Sequence, residues 1–175
     1  MTPCGALANR LQVLTGMNVL QRCQKYLREH RINYSHSIHP PAYTARETAS
    51  AEQMPTHSMA KTVVYQGDNG PGMLVLPADS VVSFGEVLRL LGLKEVRLAT
   101  EEELTRLFPG SEVGAMPPFG NLYNVPVLVD EALARDPVIL FNAGSHQRTM
   151  TITYTDFAKL VQPAVGKFAK TPVVV

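Results

Sequence analysis

The chain of 175 residues has no tryptophan, two cysteines, and aromatic residues at only 7%. Cys4 and Cys23 belong to no CxxC pair and cannot staple a domain of this size, so both are read as reduced thiols. No apolar run approaches the roughly 18 residues that a membrane span needs. The start Met1-Thr2-Pro3-Cys4 lacks the basic-then-apolar pattern of a signal peptide, so the expectation is a cytoplasmic protein with no membrane partner. Several site motifs are missing too: no Walker loop, no GxGxxG after a strand, no GxSxG elbow and no HExxH. His36 and His39 make an HxxH spacing with no third ligand nearby, so neither a metal nor an organic cofactor is expected.

What remains is the composition of a folded domain. Hydrophobic residues make up 45% and charged residues 18%, enough for a core and too little charge for a disordered chain. The net charge of +1 hides an asymmetry. Residues 1–61 carry seven Lys/Arg against three Asp/Glu, residues 62–140 five against eleven, and residues 141–175 four against one. If the two basic ends meet, one face becomes weakly basic and suited to a polyanion. Nothing reads as a helix-turn-helix, and duplex DNA is not an expected partner.

Apolar periodicity predicts an amphipathic helix from Met17 to Arg31, with Leu20, Cys23 and Leu27 on one stripe. A short strand within Ile32 to Ile38 and a break at His39-Pro40-Pro41 follow. Three later helices open with Ser or Thr followed three residues on by Glu: Thr44 with Glu47, Ser83 with Glu86, and Thr100 with Glu103. That spacing builds a capping box, so these glutamates read as caps and not as catalytic carboxylates. A last helix is expected after Thr155. β-Branched runs predict strands at Thr62 to Tyr65, Met73 to Leu76, Val125 to Val129, Pro137 to Phe141 and Thr149 to Tyr154, the first two joined as a hairpin through Gly67 to Gly72. The irregular order of helices and strands favours an α+β fold with a mixed, largely antiparallel sheet over a doubly wound one. The expected organisation is a loose segment over residues 1–16, one domain over 17–162 and a tail over 163–175.

Three places carry candidate chemistry. Lys61 stands at the mouth of the apolar strand Thr62 to Tyr65, where an ammonium can orient a phosphate, a hydroxyl or a carbonyl oxygen. The stretch Gly114-Ala115-Met116-Pro117-Pro118-Phe119-Gly120 combines glycine freedom with two fixed proline angles, which makes a stiff loop whose N–H groups can face a ligand. Asn142-Ala143-Gly144-Ser145-His146 follows an apolar run and projects polar atoms from a rigid end.

In this order, Ala60-Lys61-Thr62-Val63-Val64, Val75-Leu76-Pro77-Ala78, the Gly114 to Gly120 loop with its GxxxP pattern, and Ala143-Gly144-Ser145-His146 resemble the YbaK/prolyl-tRNA-editing-domain family of aminoacyl-tRNA deacylases. The resemblance spans about residues 19–162. It implies a compact α+β domain with a partly barrel-like sheet that hydrolyses the ester joining a wrong amino acid to the 3′ end of tRNA, acting in trans after a synthetase has released its error. The partners it implies are mischarged tRNA and an aminoacyl-tRNA synthetase. By the same resemblance Lys61 and His146 are the catalytic candidates, and Gly114, Ala115, Met116, Pro118, Gly120, Gly144 and Ser145 bind substrate. Synthetase active sites discriminate one methylene by only about 1–3 kcal/mol, which is why a second hydrolytic site is needed. A different class stays open: a non-catalytic module of the same shape that binds an aminoacyl-adenosine, a nucleotide or a protein partner.

Overall fold

The computed structural model describes residues 16–173. The first helix, α1 (Val19–Glu29), is capped by Asn18, whose side chain accepts from the Gln21 N–H while the Gln21 side chain accepts from the Asn18 N–H. The stripe Leu20, Cys23 and Leu27 is buried, as its spacing predicts. The Cys23 thiol is pushed up to about 12 by burial and is a packing group. Cys4 lies outside the described residues.

After β1 (Ser35–Ile38) come α2 (Ala45–Ala51), β2 (Ala60–Gly67), β3 (Gly70–Pro77) and the two-residue β4 (Val81–Val82). The hairpin between β2 and β3 turns at Asp68 and Asn69, and the Asp68 carboxylate accepts from the N–H groups of Lys94 and Glu95, tying the next strand to it. Next are α3 (Phe84–Leu91), β5 (Val96–Leu98), α4 (Glu101–Leu107), β6 (Val127–Asp130), α5 (Glu131–Ala134), β7 (Val138–Ser145), β8 (Arg148–Thr153) and α6 (Tyr154–Val161). The capping boxes of Thr44 with Glu47 and Thr100 with Glu103 form as expected. The one at Ser83 does not: its side chain caps nothing, and Glu86 pairs with Arg89 one turn on. The final helix starts earlier than expected, capped by Thr153.

With β9 (Ala164–Gly166), five strands form a mixed sheet in the order β5-β2-β3-β6-β9, antiparallel from β5 to β3 and parallel from β3 through β6 to β9. Strands β1, β8 and β7 form a separate antiparallel sheet. The architecture is mixed α and β in one domain, and the sheets do not close into a barrel. Beyond Pro163 the chain supplies β9 (Ala164–Gly166) and β10 (Ala169–Lys170), the latter paired with β4.

Strand β3 is the centre of the molecule. Met73 and Val75 face a core shared with α1, β7 and α6, while Leu74 and Leu76 face a second one shared with α3 and Phe168. Burial on both faces is what a strand beside a parallel neighbour requires, and it explains why Met73 to Leu76 is uninterruptedly apolar. The two sheets meet near one edge, where Met59 bridges to Leu140 in parallel and both pack with Ala49 and Ala78.

Candidate functional site

Above that seam lies a cavity of about 420 Å³ open to solvent. Its apolar part is made by Met59, Val63, Ala78 and Met116. Its polar part is made by Arg46 and Lys61, with Gly114 and Asn142 on the facing elements. Tyr43, exposed by 72%, stands on the rim.

Lys61 is the second residue of β2 and half-buried, and its ammonium donates to the Ser80 carbonyl. Burial and then the nearby charge of Arg46 pull its pKa below the ordinary lysine value, while Asp79 acts in the opposite direction. Arg46 is exposed in the first turn of α2, and no carboxylate among the described residues pairs with it. Two cations therefore share the cavity, and among the described residues no Asp, Glu, His, Ser or Cys side chain lines it. That is the electrostatics of a receptor for anionic or electron-rich groups.

The loop Gly114 to Gly120 divides into parts with different tasks. Gly114 (φ +84°) and Met116 reach the cavity, and no group among the described residues accepts from either N–H. Ala115 is fully buried and its N–H donates to the Glu112 carbonyl. Pro118 and Gly120 are buried beneath, Gly120 against Val125 and Val127.

The second glycine segment is strand and turn. β7 runs on through Ser145, with a register irregularity between Asn142 and Ser145. The Gly144 N–H donates to the Ala115 carbonyl and its carbonyl accepts from the Glu112 N–H, both at 2.9 Å. A Cβ at Gly144 would lie 2.5 Å from the Cβ of Val19. Its N–H is thus spent on holding the Glu112 to Ala115 loop and is not a free donor. Ser145 accepts from the Gln147 N–H in the β7–β8 turn. His146 lies behind Gly114 and Tyr43, off the cavity wall. Its Nε2 is 2.9 Å from the Val113 carbonyl, which can only accept, so in the neutral ring Nε2 carries the proton and Nδ1 is bare. Nδ1 is buried without a partner among the described residues. The ring packs on Tyr43 at 5.3 Å between centroids.

Lys61, Gly114 and Met116 are thus brought to one hollow; Ala115, Gly144 and His146 support the loop that walls it; Ser145 closes the β7–β8 turn, and Pro118 and Gly120 are buried outside the hollow. Arg46 carries no sequence signal, since an arginine in the first turn of a short polar helix looks like any solvated residue. Among the described residues no helix is long and apolar enough to cross a membrane, and no group of three His, Cys, Asp or Glu could hold a metal ion.

Solved structures share the architecture at low identity. A protein described as a candidate trans-editing enzyme for prolyl-tRNA synthetase superposes with a TM-score of 0.76 at 24% identity, over 88% of this chain and 98% of its own. The hypothetical protein APE2540 gives 0.76 at 20% identity, over 85% and 99%. A candidate signal-transduction protein from Marinobacter aquaeolei VT8 gives 0.68 at 17%, over 87% of this chain and 31% of its own. The sequence model of the aminoacyl-tRNA editing domain matches residues 39–160, which hold every element of the cavity, and the chain belongs to that family.

Proposed function

We propose that the protein is a trans-editing hydrolase that removes the amino acid from mischarged tRNA by water attack on the aminoacyl ester. The observation that carries this reading is the cavity itself: two cations beside an apolar floor, a loop whose Gly114 and Met116 N–H groups have no acceptor among the described residues, and no described Ser, Cys, Asp, Glu or His side chain on the wall. Membership in the editing family supports aminoacyl-tRNA as the substrate. The apolar floor of Met59, Val63, Ala78 and Met116 suits the amino-acid side chain, and the cationic side suits the terminal phosphate and ribose.

The chemistry asks little of the protein. The water oxygen bonds to the ester carbon and the carbonyl π pair moves onto oxygen; when that pair returns, the bond to the ribose oxygen breaks. The ribose oxygen takes the proton that the water loses. The neighbouring ribose hydroxyl can relay that proton, so a wall without a protein base is compatible with turnover. Donors aimed at the developing oxyanion lower the barrier, one such donor being worth roughly 2.7–4 kcal/mol. Gly114 and Met116 supply candidates. Lys61 holds the acceptor end in place, and His146 acts as a positioning residue through its bond to the Val113 carbonyl and its packing on Tyr43. An encounter with prolyl-tRNA synthetase, as the name of one structural neighbour has it, would deliver substrate directly.

A panel of mischarged tRNAs is the decisive measurement. Release of amino acid from at least one member is expected, and Lys61→Ala should lower kcat/KM on it by about 100-fold or more with an unchanged fold. The absence of a carboxylate or imidazole from the wall among the described residues also favours a second reading, a module that binds the aminoacyl-adenosine end without turnover. That reading requires saturable protection of the ester and no release.

A further inference from the structure

One buried polar side chain of the cavity has no partner among the described residues. Asn142 on β7 lines the cavity and is 8% exposed, and its Oδ1 is buried with no hydrogen-bond partner. No group among the described residues pairs with its Nδ2 either. A carboxamide whose oxygen is buried without a partner weakens a fold, so its place is explained by what it meets when the cavity fills.

Its surroundings fix what that is. Met59 and Leu140 bridge in parallel; two residues on along each segment stand Lys61 and Asn142, and both line the cavity. Two residues further along β7, Gly144 stitches the strand to the loop that carries Gly114 and Met116. The carboxamide therefore shares one cavity with Lys61 and with the loop whose N–H groups are unused. Its charged neighbours in the cavity, Lys61 and Arg46, are cations, and no carboxylate is present on the wall. A ligand atom that satisfies these donors together is an electron-rich oxygen, and what an amide offers such an atom is its N–H.

We propose that Asn142 is a catalytic residue that donates from Nδ2 to the carbonyl oxygen of the ester as negative charge builds on it. This rests on the deacylase reading. Asn142 itself neither gains nor loses a proton; water adds, the ribose oxygen leaves with the water's proton, and the amide holds the oxyanion between the two events.

Kinetics of Asn142→Leu and Asn142→Asp, on the full chain and on a mischarged tRNA that the parent hydrolyses, test this. Leu keeps the size without a donor; Asp keeps the shape and replaces N–H by a charged oxygen. Each should lower kcat by about 10²–10³-fold. KM, and the affinity for a non-hydrolysable 3′-amide analogue of the aminoacyl-adenosine end, should stay within about threefold, because the bond strengthens only in the transition state. A kcat within about threefold of the parent, or a loss carried by KM alone, overturns the assignment. Should Leu fail to fold, Asp carries the test. A parent that hydrolyses no member of the panel ends the deacylase reading and this one with it; an active parent with unaffected variants ends this one alone.

Discussion

Asp130 and Asn142 are both buried polar residues in strands that face the same core, and the protein treats them in opposite ways. The Asp130 carboxylate accepts from the N–H groups of Ala132, Phe168 and Ala169 at 2.7–2.9 Å. It caps α5 and pins the chain between β9 and β10, so it is structural in the strict sense that the fold consumes its hydrogen-bonding capacity. Asn142 spends none of its own. A satisfied buried polar group belongs to the architecture, whereas an unsatisfied one at a cavity wall belongs to whatever enters the cavity.

Removing Asp130 should therefore give the largest stability effect. Asp130→Ala leaves three N–H donors without their charged acceptor, and chemical denaturation should show a loss of about 3 kcal/mol or more. The activity of the molecules that remain folded should be close to normal. Asn142→Leu should behave in the reverse manner, with a denaturation midpoint equal to or above the parent's. A strongly destabilised Asn142→Leu beside a tolerated Asp130→Ala would break the contrast.

The same distinction separates two glycines with left-handed backbones. Gly144→Ala drives a methyl into Val19 and strains φ +91°, and should cost about 2 kcal/mol or more by thermal or chemical melting. Gly114→Ala meets only the edge of His146 at 3.6 Å, leaving the backbone strain of about 1–2 kcal/mol. Its larger effect should be on kcat/KM, because the loop N–H groups at the cavity shift. If Gly144→Ala loses more activity per folded molecule than Gly114→Ala, the Gly144 amide has a substrate role after all.

These pairs also mark what the sequence could tell. The β2–β3 hairpin was legible because its turn is local, and α2 and α4 because a capping box lies within four residues. The box at Ser83 failed because Glu86 had a rival in Arg89. Strands β9 and β10 depend on Asp130, nearly forty residues away, and on pairing with β6 and β4. No local pattern reports that. Lys61 was legible as a lone cation at the mouth of an apolar strand. The packing role of Gly144 is not legible, because a glycine required by Val19 looks the same in sequence as one required by a ligand. Arg46 and the position of Asn142 beside Lys61 follow only from the Met59–Leu140 crossing, which joins segments about eighty residues apart.

The smallest expected effect isolates a polar group whose partners all lie at the surface. Glu103 closes the capping box of α4 and is bound by both guanidinium nitrogens of Arg97. The Arg97 hydrogen bond, ahead of the Thr100 N–H, lowers its pKa from 4.5 to about 2. A carboxyl held down in the folded state contributes stability that is complete above 4.5 and is lost as pH falls through about 2. Glu103→Gln keeps an oxygen for the Thr100 N–H and loses the ion pair. The variant should melt slightly below the parent at neutral pH and match it near pH 2, because exposed ion pairs are screened and worth little. A parent and variant separated equally at both pH values would show that the carboxyl acts through its shape in the cap, with its charge on Arg97 contributing nothing.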